Sequence, residues 1–274
     1  MTVRRLLFSA CLGVPLAVES WATEIIKPAD LVPIAHFNRD GDWDLGRVPR
    51  VGDAVLIQRA SGSSSVSASV FDPVLALTNA GQLSLHSLVV DVSGTIAPAQ
   101  SGLVQSGTQG IRTSLEIIGQ TSDGIHTHSG SLLSTTQNNI DRLYLGRSSG
   151  TNSFTGTYWM FSERPPNGWG WLSPRSRLIS FEQVIGDSSP GEFDQYDSYN
   201  DTIDLTIGAL ATGRYTVDGD GAEVRAVNVN VGSLGLFRHH EGQVNISQRL
   251  ILYGGAVDMG LYELRGGSLR VTGG

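Results

Sequence analysis

The chain has 274 residues, with 19 basic and 26 acidic side chains for a net charge of −7. That balance argues against a partner such as nucleic acid or anionic lipid, sought through bulk positive charge. Thirty-four glycines, one cysteine and a single lysine, Lys27, suit short strands and tight turns and argue against a helical domain.

The first 22 residues have the layout of a secretory signal peptide. Arg4-Arg5 is the basic start, Leu6 to Val18 the apolar run, and Ser20-Trp21-Ala22 places small residues at the −3 and −1 positions of a cut after Ala22. The apolar run is too short to span a bilayer, and no other stretch is long enough. Phe8-Ser9-Ala10-Cys11 loosely resembles a lipoprotein cleavage box, but Phe is a poor first residue there, and cleavage after Ala22 is preferred. Removing residues 1–22 takes away two basic groups and one acidic group, so the net charge moves to −8. It also removes Cys11, which excludes disulfides and thiolate chemistry from an exported chain.

Residues 23–57 read as a lead-in and capping rung. Thr23 to Asn38 is expected to be irregular, and Trp43 to Ile57 opens the regular structure. Residues 58–154 read as degenerate repeats. Short apolar runs at 66–71, 74–77, 82–85, 88–92, 115–118 and 143–145 are separated by Gly, Ser, Asn and Asp. Residues 155–180 break the pattern with Tyr158, Trp159, Phe161, Trp169, Trp171 and three prolines, and are expected to form one loop insertion. Such loops commonly carry function.

Residues 181–274 hold the strongest signal. Gly-x-aromatic occurs at Gly191/Phe193, Gly213/Tyr215, Gly235/Phe237 and Gly260/Tyr262, with the aromatics 22, 22 and 25 residues apart. Further glycines close apolar runs, as in Leu205-Thr-Ile207-Gly208 and Val229-Asn-Val231-Gly232. A period in the twenties with two or three short strands predicts an all-β solenoid whose like strands stack in parallel about 4.8 Å apart. Val, Ile and Leu then point inward, glycine takes the corners, and one ring per period stacks into a column. At this period the chain makes roughly ten coils and a rod about 50 Å long.

The unit apolar-x-apolar-Gly…Gly-x-Tyr/Phe…Gly-x-apolar resembles the β-strand repeats of autotransporter passenger regions and of secreted proteins with a C-terminal sorting tail. The resemblance covers 184–271 well, Trp43 to Ile57 as an opener, and the region between loosely. It implies a right-handed, single-stranded parallel β-helix with a surface or matrix role. No membrane barrel or sorting tail follows Gly274, so the chain reads as a piece of something longer.

Chemistry is thinly signalled. Asn38, Asp40, Asp42 and Asp44 offer oxygen ligands for Ca²⁺, the one cofactor these residues suggest. A twelve-residue calcium loop counted from Asn38 would have Trp43 and Pro49 where Gly and Glu belong, so an acidic turn is the better reading. Asp218-Gly-Asp220-Gly reads as a turn. His126-x-His128 and His239-His240 lack an identifiable third ligand and read as polar turn residues. No catalytic residue is assigned. Trp159, Trp169 and Trp171 are the candidate ligand contacts, and a local cluster anchoring the loop is the competing reading. The expected function is a secreted or cell-surface scaffold with an adhesive role, its partner a surface or matrix polysaccharide. The alternatives are a glycan-binding module and a polysaccharide lyase or hydrolase using Arg175, Arg177, Glu182 and Asp187.

Overall fold

The computed structural model describes residues 24–27, 34–36, 46–47, 54–58, 67–70, 82–91, 102–105, 110–120, 123–130, 137–148, 151–162, 175–254 and 260–273. Among these there is no helix, and the strands run in order along the chain. They are β1 (Glu24–Lys27), β2 (Ile34–His36), β3 (Ala54–Gln58), β4 (Ser67–Val70), β5 (Gln82–Asp91), β6 (Gly102–Gln105) and β7 (Gly110–Ile118). Next come β8 (Gly124–Gly130), β9 (Gln137–Leu145), β10 (Gly156–Ser162), β11 (Arg177–Ile185), β12 (Gly191–Tyr196) and β13 (Tyr199–Ile207). The last are β14 (Gly213–Asp218), β15 (Glu223–Val231), β16 (Gly235–His239), β17 (Gln243–Leu252), β18 (Leu261–Leu264) and β19 (Ser268–Val271).

The odd-numbered strands form a ten-stranded sheet and the even-numbered strands a nine-stranded sheet, each in chain order. Pairing is parallel throughout, as in β11 with β9 and β13, or β12 with β10 and β14. The chain therefore lays one strand on each sheet in turn. This is consistent with a parallel β-helix. Strands this short are unstable alone and gain their stability from neighbours above and below.

Alternation decides which side chains enter the core. In β14 the buried positions are Gly213, Tyr215 and Val217, and Arg214, Thr216 and Asp218 face out. From β5 to β15 the odd-numbered strands are longer and bend. The ladders between them each pass over one residue, as from Ser180 to Glu182 opposite Thr202 and Asp204. The skipped Phe181 and Ile203 stand exposed, with a second outward residue beside each. Inward threonines brace the bend: Thr202 Oγ1 donates to the Asp204 carbonyl at 3.3 Å and Thr113 Oγ1 to that of Leu115 at 2.9 Å. Each odd-numbered strand from β5 to β15 is thus two short limbs, and the interior between the two sheets is one continuous core running from Leu88 to Ile246.

Several expectations are corrected. Residues 23–38 are not wholly irregular, because β1 and β2 lie at one end of the two sheets. Leu83 and Val89, read on separate runs, share the single strand β5. Residues 155–180 are not one insertion: Gly156–Ser162 is β10, paired on both sides, and Arg177–Ser180 opens β11. The physical reason is that β10 alternates strictly, with Tyr158 and Met160 buried in the core, so its aromatics satisfy the same inward pattern as every other row.

Candidate functional site

The four Gly-x-aromatic units lie in register. Gly191, Gly213 and Gly235 are mutual partners, as are Phe193, Tyr215, Phe237 and Tyr262 along β12, β14, β16 and β18. Tyr158 extends the column upstream. Successive ring centroids are 5.1, 4.6, 5.0 and 4.7 Å apart from Tyr158 to Tyr262. The first two pairs are nearly parallel, at 9° and 3°. His126 sits before Tyr158, centroids 4.7 Å apart.

Within this column Tyr alternates with a ring that carries no hydroxyl, and the polar partners follow. Tyr215 O–H donates to Gln195 Oε1 at 2.6 Å and Asn200 Nδ2 donates to the Tyr215 oxygen at 2.6 Å. Both partners belong to the preceding Phe193 row. Tyr158 likewise meets His128 Nδ1 and Asn138 Nδ2, each at 3.1 Å, in the His126 row. Tyr262 meets His239 Nδ1 at 3.1 Å in the Phe237 row. A phenol deep in an apolar core needs such a partner, because an unpaired one forfeits its hydration. Burial also pushes the Tyr158, Tyr215 and Tyr262 phenols well above their usual range, which keeps them protonated donors.

His126, His128 and His239 are therefore core residues, and the reading of these histidines as polar turn residues is corrected. His126 Nδ1 lies 2.5 Å from Glu116 Oε1, with both side chains fully buried. His239 Nε2 lies 3.3 Å from the Gly242 carbonyl, which can only accept, so Nε2 carries the hydrogen and Nδ1 receives the Tyr262 hydroxyl. Gln195 performs the same task two rows earlier, taking the Tyr215 hydroxyl and donating Nε2 to the Ser198 carbonyl at 2.8 Å.

A pH dependence follows. Burial, and to a lesser degree the neighbouring His240, lower the His239 pKa from its ordinary 6.5. The unfolded chain then binds the proton more readily than the folded one, so this contribution to stability is whole above about pH 6.5 and declines as pH falls below it. His239→Gln supplies the Gln195 chemistry without a titrating group. Urea midpoints measured from pH 7.5 to pH 5 are expected to decline less steeply in the variant than in the parent chain. An unchanged slope would mean that His239 is not a source of the acid sensitivity.

The outer face of the nine-stranded sheet carries the exposed chemistry. Trp159 and Phe161 on β10 point outward with ring centroids 5.6 Å apart. Phe161 pairs in register with Tyr196, which is well exposed, and Trp159 pairs with Asp194. Glu192 and Asp194 share Arg214, whose Nη2 donates to them at 2.9 and 3.3 Å. The result is an apolar strip on two adjacent strands, edged by carboxylates clamped at one end. Such a strip can hold the apolar face of a ring, and the carboxylates can accept hydroxyl protons. Phe161 and Tyr196 were not singled out as contacts in the sequence reading. Their outward phase in strands β10 and β12 is the signal that finds them.

The remaining candidates do not converge. Arg177 stacks on Tyr199 at 4.8 Å, Glu182 accepts the Tyr144 hydroxyl at 2.8 Å, and Asp187 pairs with Arg147 at 3.4 Å. These positions fall on the first limb of β11, its second limb and the following turn. Asp218 caps its own turn, Oδ1 accepting from Gly219 N at 2.8 Å. Trp169, Trp171, Asn38, Asp40, Asp42 and Asp44 lie outside the described residues. No protein-family model, no curated protein and no solved structure matches the chain.

Proposed function

We propose that the chain is an exported, right-handed, single-stranded β-solenoid of about ten coils, of the kind found in autotransporter passengers and anchored surface proteins. Residues 1–22 are its signal peptide, and its role is structural and adhesive at the cell surface or in the extracellular matrix. The observation that carries the adhesive part is the outward strip of Trp159, Phe161 and Tyr196 beside Asp194. Rings on adjacent strands of a rigid sheet are pre-organised, so contact with a glycan costs little side-chain ordering. The stacked inward rows support the structural part, because they make each row depend on its neighbours and give an extended surface.

Sedimentation or calorimetry against a panel of neutral and acidic polysaccharides tests the reading, with Trp159→Ala in parallel. Loss of one ring contact, at about 0.5–1.5 kcal/mol, is expected to weaken binding roughly 2- to 12-fold. Circular dichroism of the variant separates loss of contact from loss of fold. Release of reducing or unsaturated sugar ends during the incubation would overturn the structural reading in favour of a lyase or hydrolase.

A further inference from the structure

The outer face of the other sheet holds a second feature, independent of the Trp159 strip. Between β13 and β19 it opens into a groove of about 540 Å³ whose polar lining includes Asp201, Arg225, Asn245, Ser247 and Arg270. Asp201, Arg225, Asn245 and Arg270 are partners in register on four successive strands. Their side chains therefore lie in one row at intervals of about 4.8 Å, with Arg225 and Arg270 about 9.6 Å apart on either side of Asn245.

The floor of the groove is irregular. The ladder between β15 and β17 shifts register between Ala226 and Asn228, so that Ser247 and Gln248 together face Val227 alone. A bulge of this kind interrupts pairing, frees backbone groups and re-aims side chains, and bulges gather beside binding sites. Thr272 takes up acceptors there, its N–H donating to the Ile246 carbonyl at 3.0 Å and its hydroxyl donating to the Ser247 carbonyl at 3.4 Å.

The charged lining of the groove is Arg225 and Arg270 against Asp201, a local excess of one positive charge in a chain of net charge −7. Arg225 is positioned before any ligand arrives: Nε donates to Glu223 at 2.8 Å and the guanidinium lies 5.3 Å from the Tyr199 ring centroid. That bond uses Nε and leaves the Nη groups to face a ligand.

We propose that this groove binds the carboxylate of an acidic saccharide, a uronate unit of a polymer. Arg225 and Arg270 hold the two carboxylate oxygens or two successive carboxylates, and the Asn245 amide takes a ring hydroxyl. The planar guanidinium matches a planar carboxylate in a way that a point charge does not.

Calorimetry with polygalacturonate oligosaccharides tests this, alongside their methyl esters, a neutral glucan and dextran sulfate, at ionic strengths of about 0.01 and 0.15 M. The free uronate is expected to bind, more weakly at the higher salt, and the ester at least about tenfold more weakly. Arg225→Gln and Arg270→Gln are each expected to weaken uronate binding about tenfold or more, and Arg249→Gln to change it less than about twofold. Arg270 is exposed on the last described strand, so its replacement leaves the core intact. Equal binding of the ester, equal or tighter binding of dextran sulfate, or indifference to both arginine substitutions would overturn the proposal. Uronate binding lost in Trp159→Ala but not in Arg225→Gln would also overturn it, while leaving the strip on the other sheet as the glycan contact.

Discussion

Tyr215→Ala is expected to lower the free energy of unfolding by about 3–5 kcal/mol, as for other large aromatic truncations in a core. Tyr215→Phe is expected to lower it by about 1–3 kcal/mol although the ring is kept. The first change empties a fully buried position between Phe193 and Phe237 and breaks the stack at 4.6 and 5.0 Å. The second removes one oxygen and strands two buried amides. Asn200 Nδ2 loses one of its two acceptors, keeping Gln183 Oε1 at 3.0 Å, and Gln195 Oε1 loses its short donor. Urea denaturation followed by circular dichroism gives both numbers from midpoint shifts at constant slope. A Tyr215→Phe variant within about 0.5 kcal/mol of the parent would show that the hydroxyl network adds no net stability.

Gly213→Ala is expected to destabilise by about 2–6 kcal/mol, combining overpacking with a disrupted corner hydrogen bond. Gly208 N donates to the Ile185 carbonyl at 2.7 Å, linking one row to the next at the corner. A Cβ added at Gly213 would sit 2.2 Å from that carbonyl oxygen and 2.3 Å from that nitrogen, inside the bond itself. The obstruction is backbone on both sides and cannot rotate away. Gly208 has φ +69° and turns the corner, so the two glycines have different physical reasons: one needs left-handed backbone, the other close approach. Faster amide exchange at Gly208 in the variant checks the mechanism. Thr216→Ala, outward on the same strand, is the control and is expected to stay within about 0.5 kcal/mol.

Much of the fold was legible because it rests on local pattern. Gly213-Arg-Tyr215 and its three relatives specify a corner, an inward ring and a strand, and each repeats in the same phase. The earlier rows were harder to see. His126, Tyr158 and Phe193 are partners in register, yet 32 and 35 residues separate them, because more residues lie between successive strands there. Counting aromatics at a fixed period cannot find a unit whose loops vary. Treating Tyr and Phe as one class also hid the alternation of Phe193/Gln195, Tyr215/Val217, Phe237/His239 and Tyr262/Leu264. The hydroxyl, which separates the two classes, is what the core had to satisfy.

By itself the sequence determined that this chain stacks short strands with glycine corners and one inward ring per row. Those are consequences of alternation and of backbone sterics, which act over a few residues. Tertiary structure alone decided what the polar residues do. It turned His128, Gln195 and His239 inward as partners for the next row's tyrosine, set Trp159, Phe161 and Tyr196 side by side on the outside, and aligned Arg225, Asn245 and Arg270 across three strands. Register between rows sets these meetings, and register depends on loop lengths and bulges that leave no periodic mark on the chain.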